Sequence, residues 1–374
     1  MATITTESGK KVPELQLNSS LLIDRTTVLY GPSKTGKTVI AKAFMKELDG
    51  HIEQILLVAP TEPSNRSYDG YIDPSLIHYR MHLPNEKDKK DTDLKAALRF
   101  LETIYARQEM MAAIYTRANN PKILSQLYTR LSHNERKVGD RYIASLERKR
   151  RRVVESVKRQ AAKNEGLCEQ KVKSANEKFE KMLVLLYKKF LTPNVARLWS
   201  LKDLSEDERY TLHYLHFNPR LLVIFDDCAA ELKPFFNKEI FRKLFYQNRH
   251  SFITVLICCQ DDTDLPTNLR KNAFISIFTD PIVAMSNFDR ASNKFPKPTK
   301  AFVSEIIPTV FEVLHRKLAY IREDEARQHF YHLHCTVPRP FMFGSTALKE
   351  LCGSVQSEGV TMNTDNPFYE KFKV

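Results

Sequence analysis

Apolar residues fall along this chain in two rhythms. Short unbroken runs at residues 27–30, 54–59 (QILLVA), 221–227 (LLVIFDD), 251–260 (SFITVLICCQ) and 273–278 (AFISIF) have the length and side-chain type of strands buried on both faces. Pro60 and Pro63 stop the second of them. Between the runs the spacing changes. VIAKAFMKEL, which follows residue 38, carries apolar residues three and four apart, and segments 234–247 and 301–315 also predict helices. Strands alternating with helices predict an α/β fold with a central, mostly parallel sheet. KLAYIR and HFYHLHCTV, near the end of the chain, predict a closing β-hairpin.

A third pattern separates the first two strands from the rest. No proline interrupts residues 122–192, and apolar positions at Ile143, Leu146, Val153, Val157, Ala161, Cys168, Val172, Ala175, Phe179, Met182, Leu186 and Phe190 keep close to a three-four spacing. This predicts a coiled coil or long helical hairpin inserted at 121–193, with Arg150 and Asn164 breaking the seam and Gly166 marking a tip. The chain then divides into 1–120, the first part of the core; 121–193, the insertion; and 194–374, the rest of the core.

Charge sharpens the picture of the insertion. The 374 residues carry 58 Lys and Arg against 45 Asp and Glu, a net of +13. Residues 136–190 alone hold 17 basic and 7 acidic side chains, a net of +10. Such a surface is either a solvated arm that packs on a neighbour or a contact for a polyanion, favoured through counterion release. The first twenty residues are polar, and no apolar run approaches the roughly 18 residues that span a bilayer. A soluble protein of cytosol or nucleus is the expectation, with its six cysteines, none in a Cys-x-x-Cys pair, as reduced core thiols.

The octet Gly31, Pro32, Ser33, Lys34, Thr35, Gly36, Lys37 and Thr38 fits G-x-x-x-x-G-K-[ST], between a strand and a helix as that pattern requires. A triphosphate needs several backbone N–H groups close to it; glycines allow the approach and the helix start adds partial positive charge. ATP and Mg²⁺ are therefore the expected cofactors, with Lys37 on the β and γ phosphates and the Thr38 hydroxyl on the metal. At the end of the third strand, Asp226 is the metal-side carboxylate and Asp227 the base for the attacking water. Gln260 ends the next strand, where an amide can sense the γ-phosphate. Arg249 precedes that strand and Arg270 follows it, and either could serve a neighbouring subunit's site. The cluster His329, His332, His334 and Cys335 makes a poor zinc shell, because alternation along a strand puts Cys335 on the opposite face from His332 and His334.

GPSKTGKT, LLVIFDD, Arg249-His250 leading into FITVLICCQ, and LPTNLRKN together resemble the genome-packaging ATPases of nucleocytoplasmic large DNA viruses, within the FtsK–HerA superfamily of P-loop motors. The resemblance covers the first 60 residues and roughly 217–280, and leaves out the basic insertion. It implies a RecA-like ATPase that assembles into a homo-oligomeric ring and pumps double-stranded DNA into a capsid. It also implies capsid or portal-like partners and a place at the viral assembly site in the host cytoplasm or in the virion. By the same resemblance Lys37 and Thr38 belong to Walker A, Asp226 and Asp227 to Walker B, Gln260 is the sensor and Arg249 the arginine finger.

Two other readings compete. A helicase or recombination ATPase on single strands needs aromatic side chains among the basic ones, and residues 136–190 offer only Tyr142, Phe179, Tyr187 and Phe190, mostly near the apolar seam. A nucleotide-gated scaffold docking a capsid or membrane protein would use ATP as a switch. Turnover stimulated by duplex DNA separates the motor from the scaffold.

Overall fold

The computed structural model describes residues 2–81, 93–160, 165–322 and 329–357. It has two compact units: Met110–Asn218, and Met1–Glu109 together with Pro219–Val374.

Among the described residues the larger unit holds ten strands: β1 (Thr3–Thr5), β2 (Lys11–Pro13), β3 (Thr26–Tyr30), β4 (Gln54–Val58), β5 (Ile77–His78), β6 (Leu221–Asp226), β7 (Ile253–Cys259), β8 (Ile275–Phe278), β9 (Arg316–Ile321) and β10 (Phe330–His334). β1 and β2 pair as a small antiparallel ribbon, and the other eight form one sheet in the order β10-β9-β8-β3-β7-β6-β4-β5. From β8 to β5 every pairing is parallel; β9 and β10 run antiparallel at the far edge. This is the arrangement of a RecA-like P-loop ATPase: the P-loop strand β3 is central, and β7 separates it from β6.

Both faces of the sheet are covered, which is why the parallel strands read as unbroken apolar runs. Val28 and Tyr30 of β3, Val223 and Phe225 of β6, and Val255 and Ile257 of β7 pack into one core cluster. Leu29, Leu222, Ile224 and Leu256 pack into the other. The helix Lys37–Leu48 closes the second face with Ile40, Ala41, Phe44, Met45 and Leu48, the three-four set of its sequence. Phe241 and Leu244 of the helix Glu239–Tyr246, with Val303, Ile306 and Val310 of the helix Lys297–Phe311, help close the first. The helix expected at 301–315 begins earlier, because Pro298 suits a first helical turn. The one expected at 234–247 is shorter, being preceded by a separate 3₁₀ turn at Lys233–Phe235.

The smaller unit is helical and reaches beyond the 121–193 segment on both sides. Its core joins Leu124, Leu127 and Leu131 to Leu191, Leu198, Leu212 and Leu215. Arg130 also clamps Glu208, at 2.6 Å from Nε to Oε1, and Asp203, at 2.7 Å. Residues up to 215 are therefore needed to finish this core. The helices His133–Gln160 and Glu165–Leu191 pack along each other in opposite directions: Gly139 lies against Phe190, and Arg150 Nε donates to Asn176 Oδ1 at 2.9 Å. Arg150 thus stays in the seam with a partner. Met182, expected in the seam, is 45% exposed. Gly166 is the second residue of the second helix, while Ala161, Asn164 and the rest of the connection between the two helices fall outside the described residues.

Candidate active site

Parallel strands place their carboxyl ends along one edge of the sheet, and register fixes what meets there. Tyr30 is level with Cys259 and Phe278, and Asp226 is level with Cys258. The residues that follow these ends are Gly31, Asp227, Gln260 and Thr279, so four loops converge on one strip, where α/β sheets bind ligands.

The loop after β3 bends back on itself before the helix Lys37–Leu48 begins. Gly31 (φ 153°) and Gly36 (φ 99°) take conformations that L side chains disfavour, and a Cβ on Gly31 would stand 2.0 Å from Thr279 Oγ1. Lys34 also has positive φ. Thr35 Oγ1 donates to the Pro32 carbonyl at 2.8 Å and is 2.6 Å from Thr279 Oγ1, which ties the loop to the end of β8. Lys37 Nζ donates to the carbonyls of Gly31 (2.5 Å) and Pro32 (2.8 Å), so its ammonium is held under the arch of the loop. Pro32, Ser33 and Lys34 are exposed at the crest, and Thr38 is half-buried in the first helical turn. Free N–H groups at a helix start, an ammonium and a hydroxyl form the donor set a Mg²⁺-bound polyphosphate needs, and the residues present fit it.

The carboxylates stand on the other side of β7. Asp226 is buried; its Oδ2 accepts from Tyr68 Oη at 2.8 Å. Burial pushes this carboxyl above its usual range, opposed by hydrogen bonds from Tyr68 and Cys258 and by the charge of Lys37. Asp227 leaves the strand with φ 51°, a conformation aspartate tolerates better than most residues, and this turns its side chain toward β7. There Gln260 Nε2 donates to Asp227 Oδ1 at 2.7 Å. The acid and the amide chosen from sequence as base and sensor are thus in contact. Gln260 is itself fixed by its backbone N–H on Asp264 Oδ2, at 2.7 Å.

The two arginines part company. Arg249 is exposed just before the amino end of β7, among the groups around Asp24. The seven residues of β7 put it roughly 23 Å from the loop edge, at about 3.3 Å per residue. It cannot reach the P-loop of its own chain. Arg270 is a correction to the sequence reading. Its side chain is only 7% exposed, and it is locked by Asp262 Oδ2 at 2.8 Å, by the Asp262 carbonyl at 2.7 Å and by Thr267 Oγ1 at 2.9 Å. With Arg290 on the same fully buried carboxylate, Arg270 builds the loop after β7 and has no freedom to act as a finger. Of the histidine group, His329 bonds the Ile321 carbonyl through Nδ1 at 3.0 Å, His332 is buried and His334 is exposed.

Protein B354L of African swine fever virus (isolate Pig/Kenya/KEN-50/1950) is 51% identical to this chain over 371 residues, 99% of each. The chain belongs to the B354L family. The B354L proteins of isolate Tick/Malawi/Lil 20-1/1983 and of the Badajoz 1971 Vero-adapted strain match to the same extent. No family model matches. Solved structures similar to this member of the B354L family include the genome packaging NTPase B204 of Sulfolobus turreted icosahedral virus 2 with ATP-gammaS, at TM-score 0.34 and 12% identity, covering 84% of this chain and 98% of that one. VirB4 of Thermoanaerobacter pseudethanolicus follows at 0.35 and 11%, covering 89% and 95%. Likeness at this level carries nothing about activity, and the fold assignment rests on strand order and register.

Sequence reasoning missed Tyr68 and Thr279, which lie in loops, and Glu62, which starts the short helix Glu62–Asn65; none of them belongs to a motif. Glu62, also buried, accepts the Tyr68 N–H at 2.7 Å and so holds the loop that carries the phenol to Asp226. The only signal was an acid and an aromatic shortly after a buried strand, which many loops share. Tyr68→Phe is expected to leave Asp226 Oδ2 without this donor and to cost about 1–3 kcal/mol of stability. Urea unfolding measures it, and an unchanged unfolding free energy would remove Tyr68 as support for Asp226.

Proposed function

We propose that this chain is an ATP-driven motor that translocates double-stranded DNA and packages a viral genome into a capsid. The observation that carries the ATPase reading is the Gln260–Asp227 hydrogen bond, set at strand ends beside the P-loop. Lys37, released from the loop carbonyls, would meet the β and γ phosphates, and Thr38 and Asp226 would hold the magnesium shell. Bound Mg²⁺ would neutralise charge developing on the phosphate oxygens. Asp227 would take the proton of the attacking water, and the Gln260 amide orients that carboxylate while contacting the same region.

DNA as the substrate is supported by the basic hairpin, whose exposed face carries Arg151 and Arg152, and by relatives encoded by a large DNA virus. Arg249, exposed and remote from its own P-loop, supports assembly into a ring in which it meets the nucleotide of a neighbour. A capsid or portal-like docking partner and action at the cytoplasmic assembly site belong to the same reading. Among the described residues no helix is long and apolar enough to cross a membrane.

The deciding assay is steady-state ATP turnover with and without linear duplex DNA. Duplex is expected to stimulate turnover more than single strands do, and Lys37→Ala to lower it by about 10²–10³-fold, the scale of losing one preorganised donor to the transition state. Turnover indifferent to DNA would favour the switch-like scaffold; normal turnover in folded Lys37→Ala would sink the P-loop assignment. Because Arg150 is tied to Asn176, the DNA test on the hairpin uses Arg151 and Arg152. Replacing both with glutamine should flatten the slope of log affinity against log salt by about 2, at about 0.9 for each lost phosphate contact. An unchanged slope would reassign the hairpin to protein contacts.

A further inference from the structure

β9 is the first antiparallel strand beyond β8, so it enters the sheet where its parallel neighbours end. That topology brings Lys317, the second residue of β9, to the P-loop edge: Leu318 pairs with Phe278, directly before Thr279. Lys317 is 8% exposed. Its Cε lies 3.8 Å from where a Cβ on Gly36 would stand, and its Nζ makes one long hydrogen bond, 3.3 Å, to the Thr279 carbonyl. It forms no ion pair among the described residues. The acid whose charge acts on it, Asp280, is already committed to the amides of Ile282 and Val283 at a helix start, at 2.9 and 3.0 Å. Burial holds this ammonium below its usual pKa, with Asp280 and Cys335 acting the other way. A buried cation with spare donors and no paired anion is unfavourable unless something anionic meets it.

Position says what that anion is. Asp227 and Gln260 stand on the β7 side of the P-loop, whereas Thr279 and Lys317 stand on the β8 side. A nucleotide laid along the P-loop with its γ-phosphate toward Asp227 and Gln260 runs its inner phosphates toward Lys317. We propose that Lys317 is a second phosphate-binding cation, which grips the α and β phosphates of a nucleoside di- or triphosphate across Gly36 from Lys37. The inference rests on the nucleotide-binding reading above and adds a residue to it. Lys37 works where the bond breaks; Lys317 holds the part of the chain that stays with the product.

The test is equilibrium titration of the full chain with fluorescent ADP and ATP analogues at several salt concentrations, comparing the wild type with Lys317→Met. Methionine keeps the stem and removes a poorly paired buried charge, so the thermal midpoint should not fall. Affinity for ADP and ATP should drop by the same factor, about tenfold or more for a lost charged hydrogen bond. The salt dependence of both affinities should flatten, and in turnover assays the loss should fall on KM more than on kcat. Unchanged ADP affinity in Lys317→Met, a loss confined to ATP, or a weakened fold with an unaltered salt slope would each overturn the proposal. If the wild type itself bound neither nucleotide, the P-loop reading would fall first and this inference with it.

Discussion

Arg249→Ala is expected to bind ATP almost normally and to turn it over about 10³-fold or more slowly, the scale of removing an arginine finger. The physical reason is distance. Arg249 stands at the amino end of β7 and the P-loop edge lies at its carboxyl end, so the guanidinium can stabilise transition-state charge only on a nucleotide held by another subunit. Complementation tests this directly. A Lys37→Ala, Asp227→Asn double variant keeps its own arginine but has no working site, whereas Arg249→Ala keeps its site but lacks the finger. Mixed where sizing shows oligomers, the two should recover a measurable share of wild-type turnover although each alone is dead. A mixture that stays inactive while mixed oligomers form would show that Arg249 does not act in trans. Arg270 is then no substitute, since it is buried against Asp262.

Asp227→Asn should separate binding from chemistry. The amide keeps the size of the side chain but cannot accept the proton of the attacking water, so single-turnover hydrolysis should slow by about 10²–10⁴-fold with nucleotide affinity retained. The carbonyl oxygen of the substituted side chain can still accept from the Gln260 amide at the position of the present 2.7 Å bond, which keeps the neighbouring strand end in place. Loss of affinity instead, with the chemical step unaffected in the fraction that binds, would move Asp227 out of the base role and into the support of the loop.

What could be read from sequence was whatever a local run of residues encodes. The parallel strands were legible because burial on both faces leaves no polar alternation in them, and the P-loop because its glycines and lysine must keep a fixed spacing. Asp226, Asp227 and Gln260 followed as polar residues ending apolar runs. Strand order was a different matter. Nothing local in KLAYIR says that its first residue will lie beside Gly36, because that needs β9 to run antiparallel next to β8. The burial of Arg270 was hidden likewise, since Asp262 meets it only after a short turn folds between them. The extent of the helical unit was misjudged because heptad-like spacing marks the two long helices, whereas Glu208 and Leu212 join the unit through the Arg130 clamp and a few leucines.

The central place of β3 also sets a timetable for synthesis. Val28 pairs with Ile257 on one side and Ser276 on the other, residues made more than 200 positions later, after the whole helical unit has left the ribosome. At about 5–20 residues per second, β3 waits for roughly ten seconds or more with both edges open, and β4 holds β5 on one edge while its other edge waits for β6; the helical unit can meanwhile complete its local contacts at once. The nascent chain therefore carries two sticky strands through most of its elongation. A chain truncated before β7 would hold the phosphate loop with no strand beside it, and is expected to aggregate rather than bind nucleotide.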